Sequence, residues 1–385
     1  MKLLYILFIS QLVSVFPFDY VIKTKAELFN RKTVLDYPGV NTLGEAGVNQ
    51  KSVYLKDFLP FNFVKDASED YSLIIQNVVS RNRNIIFPNF PLLINDKGIS
   101  IPSNTTITFL TGSELRLKPS SKPGYNILHI RGVSNVTLYN PVIIGDRYTH
   151  LKPTGGEWGM GIGIYGSNNI SIVAPKISNC WGDGIYIGTE NGENCKNVSI
   201  KQAVIKYNRR NGISVIGVER LRLEDSYSAF NNGVLPMSGI DIEPNSPSNE
   251  IKDVIIKNLR TEQNPGSGVQ IDLGNLMGGG QKKVEITVIN HSDVKSKVGM
   301  IAMSRVSDGH STLRGNINVI NPSWSQNIDK ALFTILYGAN DVRLTIANPM
   351  IRKYDNNKQL SKAETLKHLK TLLNPKARDH TTIAF

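Results

Sequence analysis

An all-β chain wound as a parallel β-helix solenoid is the fold class the sequence predicts, and three observations carry it. One short strand pattern recurs at nearly even spacing, a second strand sits inside each repeat, and asparagines punctuate the corners. The first pattern reads GIGIYG from Gly161, GIYIG from Gly184, GISVIG from Gly212, GIDIEPN from Gly239 and GVQIDLG from Gly268, at spacings of 23, 28, 27 and 29 residues. GMIAMSR from Gly299 and ALFTILYG from Ala331 continue the series, and NILHIRG from Asn126 precedes it. Each copy alternates two aliphatics with two variable residues, as a strand with one buried face requires. The inward pairs are then Ile162/Ile164, Ile185/Ile187, Ile213/Val215, Ile240/Ile242, Val269/Ile271 and Ile301/Met303.

The second strand reads NNISIVA from Asn168, KNVSIKQ from Lys196, ERLRLED from Glu219 and KDVIIKN from Lys252. Asn179, Asn208, Asn231 and Asn264 follow these strands. Asparagine tolerates left-handed backbone and bonds its own turn, so it suits tight corners. Short strands and corners at a period of 23 to 32 residues stack like on like, which is the arrangement of a solenoid. A β-propeller blade needs about 40 residues or more, so the period excludes it.

The ends follow. SEDYSLIIQNVVSRN from Ser68 has helical spacing at Leu73, Ile74, Val78 and Val79, and a helix there covers an open first rung. LSKAETLKHLKTLL from Leu360 is a second amphipathic helix, placed to cover the other end or pack along the side. The domain order is a signal peptide over 1–17, an N-terminal extension over 18–67, the β-helix over 68–354 and a helical tail over 355–385. The signal assignment rests on Lys2 followed by a short apolar run. That run is too short for a comfortable membrane span, so the sequence predicts a secreted or periplasmic protein without stable membrane insertion. Exported proteins can carry disulfides, but Cys180 and Cys195 do not match the repeat and read better as separate buried thiols.

Lys and Arg outnumber Asp and Glu by 44 to 32, and the formal net charge is +12. The excess is spread along the chain. It serves solubility, or attraction to a polyanion such as an acidic polysaccharide. No zinc spacing, helix-turn-helix pattern or aromatic-rich signature points to nucleic acid.

NIIFPNFPLLINDKGISIPSNTTITFLTGSELRL from Asn84, followed by the Gly-Ile rungs, resembles the pectate-lyase-like, right-handed parallel β-helix superfamily over about residues 65–350. That resemblance implies a right-handed coil and a carbohydrate-active protein: a polygalacturonase-like hydrolase, a polysaccharide lyase, an epimerase or a tailspike depolymerase. NCWGDGIYIG from Asn179 is similar in position to the acidic segment of polygalacturonases, and it keeps Asn179 and Asp183. The later Asp-Asp pair, the Gly-His-Gly motif and the Arg-x-Lys motif of that family are missing.

Equivalent positions of successive rungs stack about 4.8 Å apart. One outward column then reads His129, Gly163, Tyr186, Ser214, Asp241, Gln270, and the next reads Arg131, Tyr165, Gly188, Ile216, Glu243, Asp272. Just before the strands lie Met160, Asp183, Asn211, Ser238 and Ser267. Asp241, Glu243 and Asp272 therefore gather on one face, as candidate catalytic residues. Asp183, Tyr186, Tyr165, His129, Gln270, Trp158, Trp181, Arg209, Arg210 and Arg305 are the candidate substrate-binding set. Aromatic faces stack on sugar rings, and like charges one rung apart need a shared proton or cation.

Glycoside hydrolysis needs one protonated and one ionised carboxyl flanking the bond. Glu243 is the candidate general acid, with Asp241 and Asp272 as candidates for activating water and Asp183 for a neighbouring sugar. By resemblance to the superfamily's hydrolases the reaction is inverting. No cofactor is needed on that reading. The alternative is a lyase or epimerase on an acidic polysaccharide. Asp241, Glu243 and Asp272 then hold Ca²⁺, and Arg305, Lys330, His129 or Tyr186 serves as base. A non-enzymatic glycan-binding surface solenoid is the third reading. Of the remaining motifs, His310 reads as a loop residue and MGGGQKK from Met277 as a loop at the groove rim. The Asn-x-Ser/Thr triplets at Asn104, Asn135, Asn169 and Asn197 read as turns before strands.

Overall fold

A computed structural model describes residues 52–152, 155–276, 282–305, 313–337 and 341–385. The segment read as a signal peptide, most of the extension before residue 68, the glycine run from Met277 and His310 lie outside the described residues, as does the Arg305 side chain.

Each repeat contributes one strand to each of three parallel sheets, which hold twelve, ten and nine strands among the described residues. One turn shows the plan. Asn168–Val173 lies in the first sheet, Lys176–Ser178 in the second and Ile185–Gly188 in the third. Each pairs with its counterpart one turn on, Ile170 with Val198, Ile177 with Ile205 and Ile185 with Ile213. The chain is a right-handed parallel β-helix of about nine turns, with a small helix near each end. Its core is the stack of inward aliphatics, among them Ile164, Ile187, Val215, Ile242 and Ile271, each fully buried.

Corners are made by single left-handed residues. Between the first and second sheets these include Asn258, Asn290, Asn321 and Asn348, with φ of 53°, 55°, 51° and 50°. Their side chains form a ladder along the coil, each amide donating to the next at 2.8, 3.1 and 3.2 Å. A second ladder joins Asn104, Asn135 and Asn169 at 2.8 and 2.7 Å, also with left-handed backbone. The Asn-x-Ser/Thr triplets thus start at left-handed residues, Asn104 just before its strand and Asn135 and Asn169 at the second residue of theirs.

The third series corrects the reading of the sequence. Asn208, Asn231 and Asn264 are fully buried and bond one another at 3.1 and 3.0 Å inside the coil. The left-handed residues at that corner are the ones before them, Tyr207, Phe230 and Gln263. Asn179 is itself left-handed, and Cys180 takes the ladder place, donating its N–H to Asn208 Oδ1 at 3.0 Å. Two positions one residue apart were thus merged into one series. This ladder also explains the glycine of each rung. A Cβ on Gly184 would come within 2.9 Å of Asn208 Nδ2 and 2.8 Å of the Gly212 carbonyl.

The inward pair of the Val298–Arg305 strand is Met300 and Ala302, paired with Val269 and Ile271. Ile301 and Met303 face outward, against the expectation. A one-residue slip exchanges the faces of a strand, and here the position of Gly299 sets the register over the greater apolarity of Ile301.

The helix at the first end, α1 (Ser72–Arg81), buries Ile75, Val78 and Val79 but leaves Leu73 exposed. Gln76 mimics a strand: it accepts from Ser100 N at 2.8 Å and donates to Ser100 O at 3.0 Å, closing the free edge of the third sheet. At the other end α2 (Lys362–Leu372) starts on a capping box of Ser361 and Glu364 and buries Thr365 and Leu369. The chain then returns to the coil, where Thr381–Ala384 pairs with Leu344–Ala347.

Candidate active site

The outward columns of the third sheet stack as the repeat requires. His129 pairs with Gly163, Gly163 with Tyr186, Tyr186 with Ser214, Ser214 with Asp241 and Asp241 with Gln270. Ile301 and Phe333 continue that column. In the second column Arg131, Tyr165 and Gly188 are paired, and Asp272 pairs with Met303. Glu243 joins the same sheet through its N–H to the Val215 carbonyl at 3.0 Å.

Arg210 is the hub of the acids. It precedes the Ile213–Val215 strand and is nine-tenths buried. Its Nη1 donates to Asp183 Oδ2 at 2.9 Å and to Ser214 Oγ at 3.3 Å. Nη2 lies 4.0 Å from Asp241 Oδ2, and Nε lies 3.8 Å from Glu157 Oε2. Burial pulls the guanidinium pKa down, but Asp183, Asp241, Glu157 and Glu243 together push it above its ordinary value. Asp183 is fully buried and also accepts the Asn211 N–H at 2.9 Å. This pair neutralises itself and fixes Arg210 beneath the groove.

Asp241 has no exposed surface. Asn211 Nδ2 donates to its Oδ2 at 3.0 Å, and its Oδ1 meets no N–H or hydroxyl donor. Glu243 is half-buried and lies within hydrogen-bonding reach of Asp241. Burial, then the Glu243 charge, raises Asp241 well above the ordinary carboxyl value, against the pull of Arg210. Burial, then Asp272, raises Glu243 too, and the proton held by Asp241 tempers that rise. Asp272, at 7% exposure, accepts the Gly274 N–H at 3.0 Å. The three acids named from the sequence do converge, but only Glu243 is half-exposed; Asp272 keeps a small exposed edge. Asp241 cannot touch water or substrate directly, which corrects its expected role as a water activator.

Aromatic residues lie on the rungs before the acids. Trp158 is 47% exposed and meets Tyr186 edge-on at 6.3 Å, and Tyr186 tilts against Tyr165 at 5.5 Å. Tyr165 donates to Asn126 Oδ1 at 3.0 Å and carries Arg131 over its ring at 4.0 Å. Gln270 is almost wholly buried beside Asp241. His129 sits four rungs from Asp241, roughly 19 Å away. Burial lowers its pKa, and its Nε2 lies 3.1 Å from the Lys97 carbonyl. It is therefore not part of the acid cluster.

Trp181 and Arg209 are corrections. Trp181 is 3% exposed, sandwiched between the His150 ring at 3.8 Å and the Arg209 guanidinium at 3.8 Å. Trp181 is too buried to offer a stacking face, and half-buried Arg209 holds its ring. They clamp the corner that holds Gly182 and Asp183. Conversely, the sequence reading passed over Glu157, which reaches Arg210 from the residue before Trp158, and Asn211, which bonds Asp241. Asn211 stood in the row just before the strands. Glu157 lies outside the repeat, in the insertion that precedes its strand, so no periodic signal marked it.

No protein-family profile matches the chain. Two curated proteins of Bacillus subtilis (strain 168) are similar to part of it. The SPbeta prophage-derived uncharacterized protein YorA is 34% identical over 162 residues, which is 38% of this chain and 28% of that protein. The uncharacterized protein YclG is 28% identical over 205 residues, 46% of this chain and 35% of that protein. The chain thus matches about a third of the length of these relatives. Among solved structures, the surface protein and adhesin PfbA of Streptococcus pneumoniae superposes with TM-score 0.60 at 12% identity, covering 80% of this chain and 87% of that one. The A-module of the mannuronan C-5 epimerase AlgE4 of Azotobacter vinelandii gives 0.53 at 13%, covering 80% and 90%. The tailspike protein gp49 of Acinetobacter baumannii bacteriophage Fri1, a capsular polysaccharide depolymerase, gives 0.51 at 13%, covering 80% and 60%. At such identities the likeness is one of fold.

Proposed function

We propose that this chain is an exported enzyme that cleaves a polysaccharide by acid/base glycoside hydrolysis in the groove of the third sheet. The observation that carries this reading is the convergence of Asp241, Glu243 and Asp272 on neighbouring rungs, where burial and mutual charge raise Asp241 and Glu243. A carboxyl that stays protonated next to one that is ionised is the division of labour the reaction requires. Glu243 delivers its proton to the leaving glycosidic oxygen. Asp241, sealed from solvent, passes its own proton to Glu243 and so acts as a positioning residue. Asp272 is the ionised partner that takes a proton from the water attacking the anomeric carbon as the glycosidic bond breaks. Trp158 and Tyr165 offer stacking faces for neighbouring sugars. The names of two fold neighbours, an epimerase of mannuronan and a depolymerase of capsular polysaccharide, are in keeping with a saccharide substrate. Export rests on the apolar run after Lys2.

The calcium-dependent lyase is less well supported. Among the described residues no three His, Cys, Asp or Glu side chains are placed to hold a metal ion. Asp241 is sealed from solvent, with one oxygen taken by Asn211. A passive surface solenoid has no use for a buried acid pair, whose burial is costly.

The test is a screen of purified protein on neutral and acidic polysaccharides, with and without EDTA. Reducing ends are read beside the ultraviolet absorbance of unsaturated uronates. New reducing ends without that absorbance, unaffected by EDTA, support hydrolysis. Both signals rising together and lost with EDTA would replace it with the lyase.

A further inference from the structure

The overall charge of the chain and the charge of its groove point in opposite directions. The whole chain carries +12, which favours a polyanion. Around the acids the balance reverses. Glu157, Asp183, Asp272 and the Asp241/Glu243 pair surround a single guanidinium, that of Arg210.

The cations near this face are already engaged, among the described side chains. Arg210 is held by Asp183 at 2.9 Å. Arg131 pairs with Glu190 and covers the Tyr165 ring. Arg209 lies on Trp181 and donates to the Gly156 carbonyl. Lys330 sits 3.5 Å from Asp329.

One buried polar atom bears on the ligand: Arg210 Nε has no hydrogen-bond partner and can donate to a sugar hydroxyl. Arg210 Nε is turned toward Glu157 at the half-exposed rim. On the far side of the acids the outward columns become apolar, with Ile301, Met303, Phe333 and Ile335 all half-buried. The groove therefore offers an aromatic approach, an acidic centre and an apolar exit.

We propose that the subsite at the acids takes an uncharged sugar and rejects a uronate. This rests on the reading of the same groove as a saccharide site. A sugar carboxylate placed there meets several carboxylates and finds no spare cation among the described side chains. Like charges brought together in a desolvated site are strongly disfavoured. A neutral sugar brings hydroxyls that can donate to the acids and apolar ring faces for the aromatic and aliphatic walls. The excess positive charge lies elsewhere on the coil, so it cannot compensate within the site beyond a Debye length of about 8–10 Å.

The experiment uses the full chain on an immobilised glycan array that presents neutral polysaccharides beside the same polymers oxidised at C6 to uronates. Retention and cleavage are read separately. Neutral polymers should be retained about tenfold or more better than their oxidised forms, with retention lost in Trp158→Ala. Glu157→Gln, which removes one rim charge, should narrow the preference severalfold. Equal or better retention of the oxidised polymers overturns the inference, and so does retention of neither class. Retention of neutral polymers without any cleavage leaves the inference standing and refutes the hydrolase.

Discussion

Two regions of the coil bury acids that hold their protons, and they are used differently. One is the outward cluster of Asp241, Glu243 and Asp272. The other lies inside the coil on later rungs, where Asp293 accepts from Thr261 Oγ1 at 2.6 Å, Ser296 Oγ at 2.7 Å and Asn327 Nδ2 at 2.6 Å. His291 stands beside it, fully buried, bonded to Thr261 Oγ1 at 2.8 Å and to Trp324 Nε1 at 3.2 Å. Burial pushes Asp293 up to about 7 and His291 down to about 3. A shifted pKa is therefore no mark of a working site by itself. What separates the two is direction: Asp293 occupies an inward column between Thr261 and Trp324, whereas Glu243 and Asp272 stand in an outward column and Glu243 is half-exposed.

The largest effect separating the regions should be on turnover. Glu243→Gln and Asp272→Asn should each lower kcat by about 100-fold or more, while thermal melting stays the same or rises. Retained activity in either variant removes that residue from the mechanism. Asp293→Ala should do the reverse. It strips three buried side-chain donors and the Ser296 N–H of their acceptor at a cost of about 1–3 kcal/mol for each donor left unsatisfied, so melting falls sharply while kcat of the folded fraction holds. A drop in kcat at unchanged stability would tie the inner cluster to catalysis.

A subtler contrast lies in pH. Asp293 is raised from 3.8 to about 7, so it destabilises the fold as pH rises through that window. His291 is lowered from 6.5 to about 3, so it destabilises the fold as pH falls through its own window. The two slopes oppose each other between about pH 4 and 6.5. Asp293→Asn removes one slope and should expose the other, making stability rise more steeply with pH there. Melting curves across that range check it, and a flatter profile in the variant would contradict it.

The smallest shift belongs to the outward pair. Because Glu243 is raised, activity should persist above the ordinary carboxyl range and fall as pH climbs through the raised value. Asp241→Ala removes the hydrogen bond that tempers the Glu243 rise, so the alkaline limb of the rate profile should move to higher pH. An unmoved limb would show that Asp241 does not set the Glu243 proton.

The fold was legible because the glycine, the alternating aliphatics and the corner residues each recur, and stacking turns recurrence into contact. Columns followed from the same arithmetic, so Asp241, Glu243 and Asp272 could be placed together before any coordinates. Depth was not legible. Nothing in SGIDIEPN says that Asp241 is sealed while Glu243 is not, because that depends on Asn211 and Arg210 reaching across from the preceding turn. Trp181 looked like a sugar platform because an aromatic beside an acid does in sequence. Its partners His150 and Arg209 come from two other turns. Ile301 misled for another reason: the register followed Gly299, which a Cβ would drive to 2.6 Å from the Ala331 carbonyl, and not the more apolar neighbour.

The near-even repeat also bears on how the coil assembles. Each turn meets its neighbour across 23 to 32 residues of chain, and loop-closure entropy varies only as the logarithm of length. Between the shortest and longest turns the difference is about 0.3 kcal/mol. Every added turn therefore faces nearly the same entropic toll, and winding can spread turn by turn from wherever it begins. Lengthening a turn outside the three sheets would hardly slow that spread, so the groove's rim can be rebuilt in evolution or by design while the winding beneath it is left alone.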